Sequence, residues 1–291
     1  MRLRAMKNIL VTTWEEFEAQ ILELRRKRDA HVPGSGFKPS DFLFRGQEDA
    51  SKHLTTTLER RGHERMKFCD YYQLIFRIHS EIESFGFGRW NLRIPPEFER
   101  SLTWDSINSS STPNQDEYGY MVHLRHLGFP SPLLDWTQSE YIAAFFAFRQ
   151  SFRQPKNKNV AIFIYQRSPR GMHGNGSFKP FIEHHGPNVQ THPRHVSQKA
   201  EYTSCLYWEP KECYFAPHEE VFTPNNLQPG LQPAFEQDAL WKFILPAEER
   251  LKVLRLIDDS HNVNAFSMFT SEESLLETLA VRRLDLPKEA L

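Results

Sequence analysis

The sequence predicts an α+β fold in which a mixed or antiparallel central sheet packs with helices, and three observations carry that prediction. Val160, Ala161, Ile162, Phe163, Ile164 and Tyr165 form an unbroken β-branched and aromatic run, the pattern of a central strand covered on both faces. Met66, Tyr71, Leu74, Ile75, Ile78 and Ile82 recur at helical spacing, the signature of a long helix over residues 64–88 that buries one face. Strand-like and helix-like segments follow one another without a strict βαβ rhythm, which argues against a doubly wound parallel sheet. No internal repeat is visible, and 291 residues suit one large domain or two small ones; a single domain is expected.

Taken in order, Thr13 and Glu16 have the spacing of a capping box. Phe17, Ile21, Leu22 and Leu24 then mark the apolar face of a first helix, which ends in the charged run 25–28, read as a solvated helix end. A Pro/Gly loop at 33–36 leads into Phe42-Leu43-Phe44-Arg45-Gly46-Gln47, a short buried strand that delivers Arg45 and Gln47 at its end. After the long helix, residues 109–114 form a polar loop, 117–127 a second helix and 128–132 a Gly/Pro turn. Leu133-Leu134 and Asp135-Trp136-Thr137-Gln138-Ser139-Glu140 follow, with capping-box spacing again between Thr137 and Glu140. Residues 141–148 are apolar nearly all round and read as a buried helix. Residues 167–193 are Gly-, Pro- and His-rich without periodicity, hence a long loop or insertion of the kind that often serves as a lid. Further strands are expected at 194–208 and 241–245, and helices at 247–258 and 272–279.

Composition narrows the function classes. Thirty-six basic residues face 37 acidic ones, so no global charge favours a nucleic acid or an anionic membrane. The 23 Phe and six Trp supply bulky apolar side chains for a sizeable core. Three cysteines without a CxxC pair read as reduced, buried thiols. The apolar run at 9–11 is too short for a signal-peptide core, and no membrane-length apolar stretch occurs; a cytoplasmic location is expected. His173, His184, His185, His192 and His195 are irregularly spaced and lack suitably placed acidic or Cys partners, so no metal site is expected. The glycine strings at 171–176 lack the strand-turn-helix context of a dinucleotide fingerprint.

Several residues are candidates for chemistry, each with a structural alternative. The five-donor fork of Arg45 suits a phosphate or carboxylate, or it ties loops together by bonding carbonyls or Asp135. Gly46 lets the backbone turn or approach a ligand closely. His126 can donate, accept or shuttle a proton, or simply bond the adjoining turn. Asp135 stands at a strand end, pointing into a cleft, capping the next helix or pairing with Arg45. Thr137 and Ser139 read first as caps of the buried helix, whose N-terminus is also a natural anion site.

Phe44-Arg45-Gly46-Gln47 and the segment 126–139, His126-Leu127-Gly128-Phe129-Pro130-Ser131-Pro132 through Ser139, resemble the two leading motifs of the FRG domain family. The likeness continues more weakly at Arg194 to Gln198, 241–246 and 264–269, which places a single FRG-type domain over the chain with its core at about 11–282. Ser131-Pro132 stands where many members carry Thr-Arg, and Lys199-Ala200 where a Gln-Gly pair is common. The order of elements is also similar to that of ADP-ribosyltransferase-like enzymes. That resemblance implies NAD as cofactor, with Arg45 on the pyrophosphate or ribose and Thr137 and Ser139 opening an anion-binding helix. Gln198 or Glu201 would complete the site, a carboxylate such as Glu201 holding the nicotinamide ribose and stabilising an oxocarbenium-like transition state. His126 and Asp135 join these as catalytic candidates, and Gly46, Gln47 and Arg194 as ligand-binding ones. The alternative is a non-catalytic module that recognises a nucleotide, phosphorylated ligand or protein partner in the same cleft. A metal-dependent nuclease is disfavoured for want of clustered carboxylates.

Overall fold

The computed structural model describes residues 6–30, 38–86, 89–109, 112–149, 159–169, 171, 180–209, 212–222 and 238–285. The Pro/Gly loop at 33–36 and His173 lie outside these residues. An open eight-stranded mixed sheet organises the chain. Its central strand is β4 (Asn159–Gln166), buried at every position after the first. β4 pairs antiparallel with β2 (Leu43–Gln47) on one side and with β8 (Ala239–Pro246) on the other. Beyond β8 lies β1 (Lys7–Leu10), joined by the parallel pairing that makes the sheet mixed. Beyond β2 come β3 (Leu134–Thr137), β6 (Ala200–Glu209) and β5 (Phe181–His185), with β7 (Glu212–Phe215) continuing along the β3 edge of β6. The predicted α+β class holds.

The period-two alternation of β4 sends its side chains into two cores. Ile162 and Ile164, with Phe44 and Phe243, pack under α1 (Trp14–Asp29), α6 (Glu140–Phe148) and α8 (Arg250–His261). Phe163 and Tyr165 pack on the opposite face with Leu43, Leu134 and Trp136. A third core joins α2 (Phe68–Ser84), the short α3 (Pro95–Ser101) and α4 (Trp104–Asn108), and α5 (Gln115–His126) to Tyr202 and Leu206 of β6.

Several local expectations change. Within α1 only Trp14, Phe17 and Ile21 are buried, and Leu22 is exposed. The charged end of α1 is not wholly solvated, because Arg25 forms a bidentate pair at 2.7 and 2.9 Å with the buried Glu140 of α6. The α6 N-cap is Ser139, whose Oγ accepts from the Ile142 amide at 3.4 Å. Thr137 Oγ1 accepts instead from the Ser139 amide, so Thr137 is not the cap that its spacing suggested. The segment 167–193 contains β5, which reaches the sheet edge by pairing with β6. Residues Arg194–Ser197 form one helical turn, α7, and the strand expected there starts only at Ala200. A short helix, α9 (Ala265–Phe269), precedes α10 (Glu272–Ala280).

Candidate functional site

β2 and β3 share a single register pair, Phe44 with Thr137, and diverge beyond it. Strand alternation turns Phe44 and Gly46 to one side of β2 and Arg45 to the other. On the Gly46 side α6 lies so close that a Cβ would sit 1.9 Å from the Ala143 carbonyl oxygen. The close approach that this glycine permits is therefore to a helix. Arg45 reaches across the divergence, and its Nη1 donates to the Asp135 carbonyl at 2.7 Å.

A cleft of about 510 Å³ is lined by both diverging strands. Arg45, Gly46 and Gln47 line it from β2, with Lys52, His53 and Arg60 from the chain that follows. Arg125 and His126 line it from the end of α5, with Asp135 and Thr137 from β3. Arg194, Gln198, Phe146 and Phe269 also line it. Ser139 and Glu201 do not line it.

The charges are arranged around Asp135. Arg125 grips its carboxylate with Nε at 2.9 Å and Nη2 at 2.8 Å, while Arg45 Nη1 stands 3.9 Å from Oδ2. Burial would raise the Asp135 pKa, but the two guanidiniums outweigh it and hold the group below its ordinary carboxylate value. Burial lowers the Arg45 pKa to about 10, with Asp135 opposing and Arg125 and Arg60 adding to the shift. Arg45 thus stays cationic at neutral pH. Arg60 is also lowered by burial and by Arg125. Five cations (Arg45, Lys52, Arg60, Arg125 and Arg194) face three carboxylates (Glu48, Asp49 and Asp135), so the cleft carries a positive surplus. On two of its lining residues, Arg45 and Arg194, the buried Nε atoms have no hydrogen-bond partner among the described residues. Such buried donors are normally satisfied.

His126 does not bond the adjoining turn: its Nε2 lies 2.7 Å from the Tyr202 hydroxyl. Burial lowers its pKa to about 4, against the pull of Asp135, so the ring is neutral at physiological pH. Gln47 Nε2 donates to the Asp49 and Lys52 carbonyls and pins the turn after β2. Gln198 Nε2 donates to the Met268 carbonyl, and Arg194 lies over the Phe269 ring at 5.3 Å. Glu201 is held on both oxygens, by Gln138 Nε2 at 2.6 Å and by His184 Nε2. Burial would raise its pKa, and those two partners lower it instead.

Sequence reasoning missed Arg125, Arg60 and Lys52. Arg125 had one signal, its place beside His126 in the last turn of α5, where basic side chains favour the helix dipole. Nothing local marked Arg60 or Lys52, which reach the cleft through the chain after β2.

Among comparisons with known proteins, the model of the FRG domain matches residues 40–156. The match is narrower than the likeness read over about 11–282, and the cleft residues Arg194, Gln198 and Phe269 fall outside it. No curated protein and no solved structure matches the chain.

Proposed function

We propose, from the premise that this chain carries an FRG domain across residues 40–156, that the cleft binds a phosphorylated small molecule of nucleotide size. The observation that supports the reading is the pair of buried Nε donors, unpartnered among the described residues, on Arg45 and Arg194, two residues lining a cleft whose cations outnumber its carboxylates. A guanidinium fork matches phosphate oxygens, and charge-assisted hydrogen bonds are the strong ones. Asp135 orders this array by holding Arg125 and attracting Arg45. Phe269 and Phe146 offer apolar surface beside the cations, as a base or sugar face requires.

ADP-ribosyl transfer from NAD asks for more than binding. It needs a carboxylate on the sugar, and Glu201 lies off the cleft wall with both oxygens engaged. Recognition of the phosphorylated ligand is therefore the reading adopted here. Calorimetry with inorganic pyrophosphate and ADP tests it. Arg45→Met and Arg194→Met should each weaken binding by about tenfold or more, the loss of a charge-assisted hydrogen bond worth about 1.5–3 kcal/mol. Absence of any binding by the wild-type protein, or affinities unchanged in both variants, would refute it. Transfer of label from NAD to protein would restore the enzymatic reading.

A further inference from the structure

We infer that Tyr202 and His195, neither of which lines the cleft, hold His126 as an uncharged hydrogen-bond acceptor there, so that the ligand carries a sugar hydroxyl beside its phosphate. The inference rests on the phosphate reading above for the identity of the ligand; its proton arrangement follows from the hydrogen-bond geometry once each imidazole carries a single ring proton. His195 Nε2 lies 2.7 Å from the Pro187 carbonyl, which can only accept, so Nε2 carries a proton. A neutral His195 then has its lone pair on Nδ1, 3.2 Å from the Tyr202 hydroxyl, so Tyr202 donates to it. A hydroxyl has one hydrogen. Towards His126 Nε2, at 2.7 Å, the Tyr202 oxygen must accept, and Nε2 of His126 must donate. The neutral ring is left with its lone pair on Nδ1.

The chain of contacts is enclosed. Tyr202 is fully buried and His195 nearly so. Their rings stack at 5.7 Å with 17° between planes, and His126 meets Tyr202 edge-on at 84°. Burial keeps the charge off His126, with His192, His195 and Arg125 acting in the same direction and Asp135 against it. An acceptor lone pair repels phosphate oxygens, so in an arginine-rich cleft His126 is the wrong partner for the phosphate and the right one for a neighbouring donor. Sugar phosphates and nucleotides carry both groups on one sugar, a few bonds apart.

Two measurements test this. Nitrogen NMR of the ligand-free protein at neutral pH reads which His126 nitrogen bears the proton; Nε2 is expected, and a proton on Nδ1 or a charged ring overturns the inference. Calorimetry then compares ribose 5-phosphate with pentyl phosphate, which matches the charge and lacks the hydroxyls. Wild type should prefer the sugar phosphate by about two- to twelvefold, the worth of one hydrogen bond. Tyr202→Phe keeps the ring and removes the hydroxyl, so it should mix the His126 tautomers and shrink that preference while leaving pentyl phosphate binding intact. Equal affinities in the wild type, or a preference untouched by Tyr202→Phe, overturn the proposal. Failure of pyrophosphate to bind, with the proton on Nε2 as expected, would sink the phosphate reading and the ligand assignment while leaving the proton relay standing.

Discussion

Replacing Gly46 by alanine separates two explanations of the Phe44-Arg45-Gly46 sequence. A Cβ at this position would fall 1.9 Å from the Ala143 oxygen, 2.6 Å from the Ala147 nitrogen and 2.9 Å from the Ala143 carbonyl carbon. All three are backbone atoms of α6, so no side-chain rotation relieves the clash. Reaching even the 3.0 Å limit for a Cβ contact would move the helix by more than an ångström. That helix buries Ile142, Ala143, Ala144, Phe145, Ala147 and Phe148, and a shift of this size loosens its packing against β2 and α8. Overpacking by one methyl group costs about 1–3 kcal/mol where side chains can adjust. Here only backbone can move, so the expected loss is at least about 3 kcal/mol. At a urea slope of about 3 kcal/mol/M this lowers the denaturation midpoint by about 1 M. Gly128→Ala is the control: its φ is +89° with nothing within 4 Å, so it should cost only the about 1–2 kcal/mol of left-handed backbone. Gly46→Ala within 1 kcal/mol of wild type would refute the helix-seat explanation. If that stable variant also lost pyrophosphate binding, Gly46 would serve ligand approach instead.

Further expectations follow from the same contacts. Asp135→Asn removes the carboxylate that Arg125 grips and Arg45 faces, and should cost about 1–3 kcal/mol in chemical denaturation, less than a sealed pair because Asp135 is 37% exposed. The same variant should bind pyrophosphate more tightly, since the positive surplus grows; a loss on both counts would contradict the charge argument. Acid should weaken the fold before carboxylates titrate. His218 is fully buried with its pKa pushed down to about 3, so from about pH 6.5 down to about 3 the unfolded chain binds a proton that the native chain refuses. Stability should therefore fall with pH across that window, by about 1.4 kcal/mol per pH unit for each such histidine, with His126 adding between about 6.5 and 4. His218→Gln should flatten the measured slope, and an unchanged slope would remove His218 from the account.

What could be read from the sequence was what local pattern encodes. The β4 run and the all-apolar α6 announce burial in their own residues, and both form where expected. Arg45, His126, Thr137 and Gln198, drawn from three stretches of the chain, all reach one cleft. Pairings between segments were illegible. Nothing near Asp135 names Arg125 rather than Arg45 as its bidentate partner, because the choice depends on where α5 ends relative to β3. Thr137 and Ser139 both fit a cap, and the separation was made by β3, whose pairing with β6 keeps Thr137 extended. Glu201 looked available for catalysis because its engagement by Gln138 and His184 joins three strands or strand ends distant in sequence. The β5 strand hid in a Gly/Pro/His-rich stretch because its order comes from pairing with β6, not from its own alternation.

The three residues of the first motif divide their work by the geometry of one strand. Phe44 and Gly46, two apart, face the same side: Phe44 fills the core under α6, and Gly46 lets that helix lie directly on the strand. Arg45, between them, must face the other way. Because α6 fixes β2 while β3 holds to β6, the two strands part after Phe44 and Thr137, and Arg45 is left to span the gap to the Asp135 carbonyl. Its Nε remains over, without a partner among the described residues and buried beside Arg125 and Arg60. A lysine there could not reproduce this arrangement, since its three donors all sit on one nitrogen, which would be held at the carbonyl with no second nitrogen at the place of the Arg45 Nε. Phe44 and Gly46 thus account for the shape of the opening, and Arg45 for what the opening can hold.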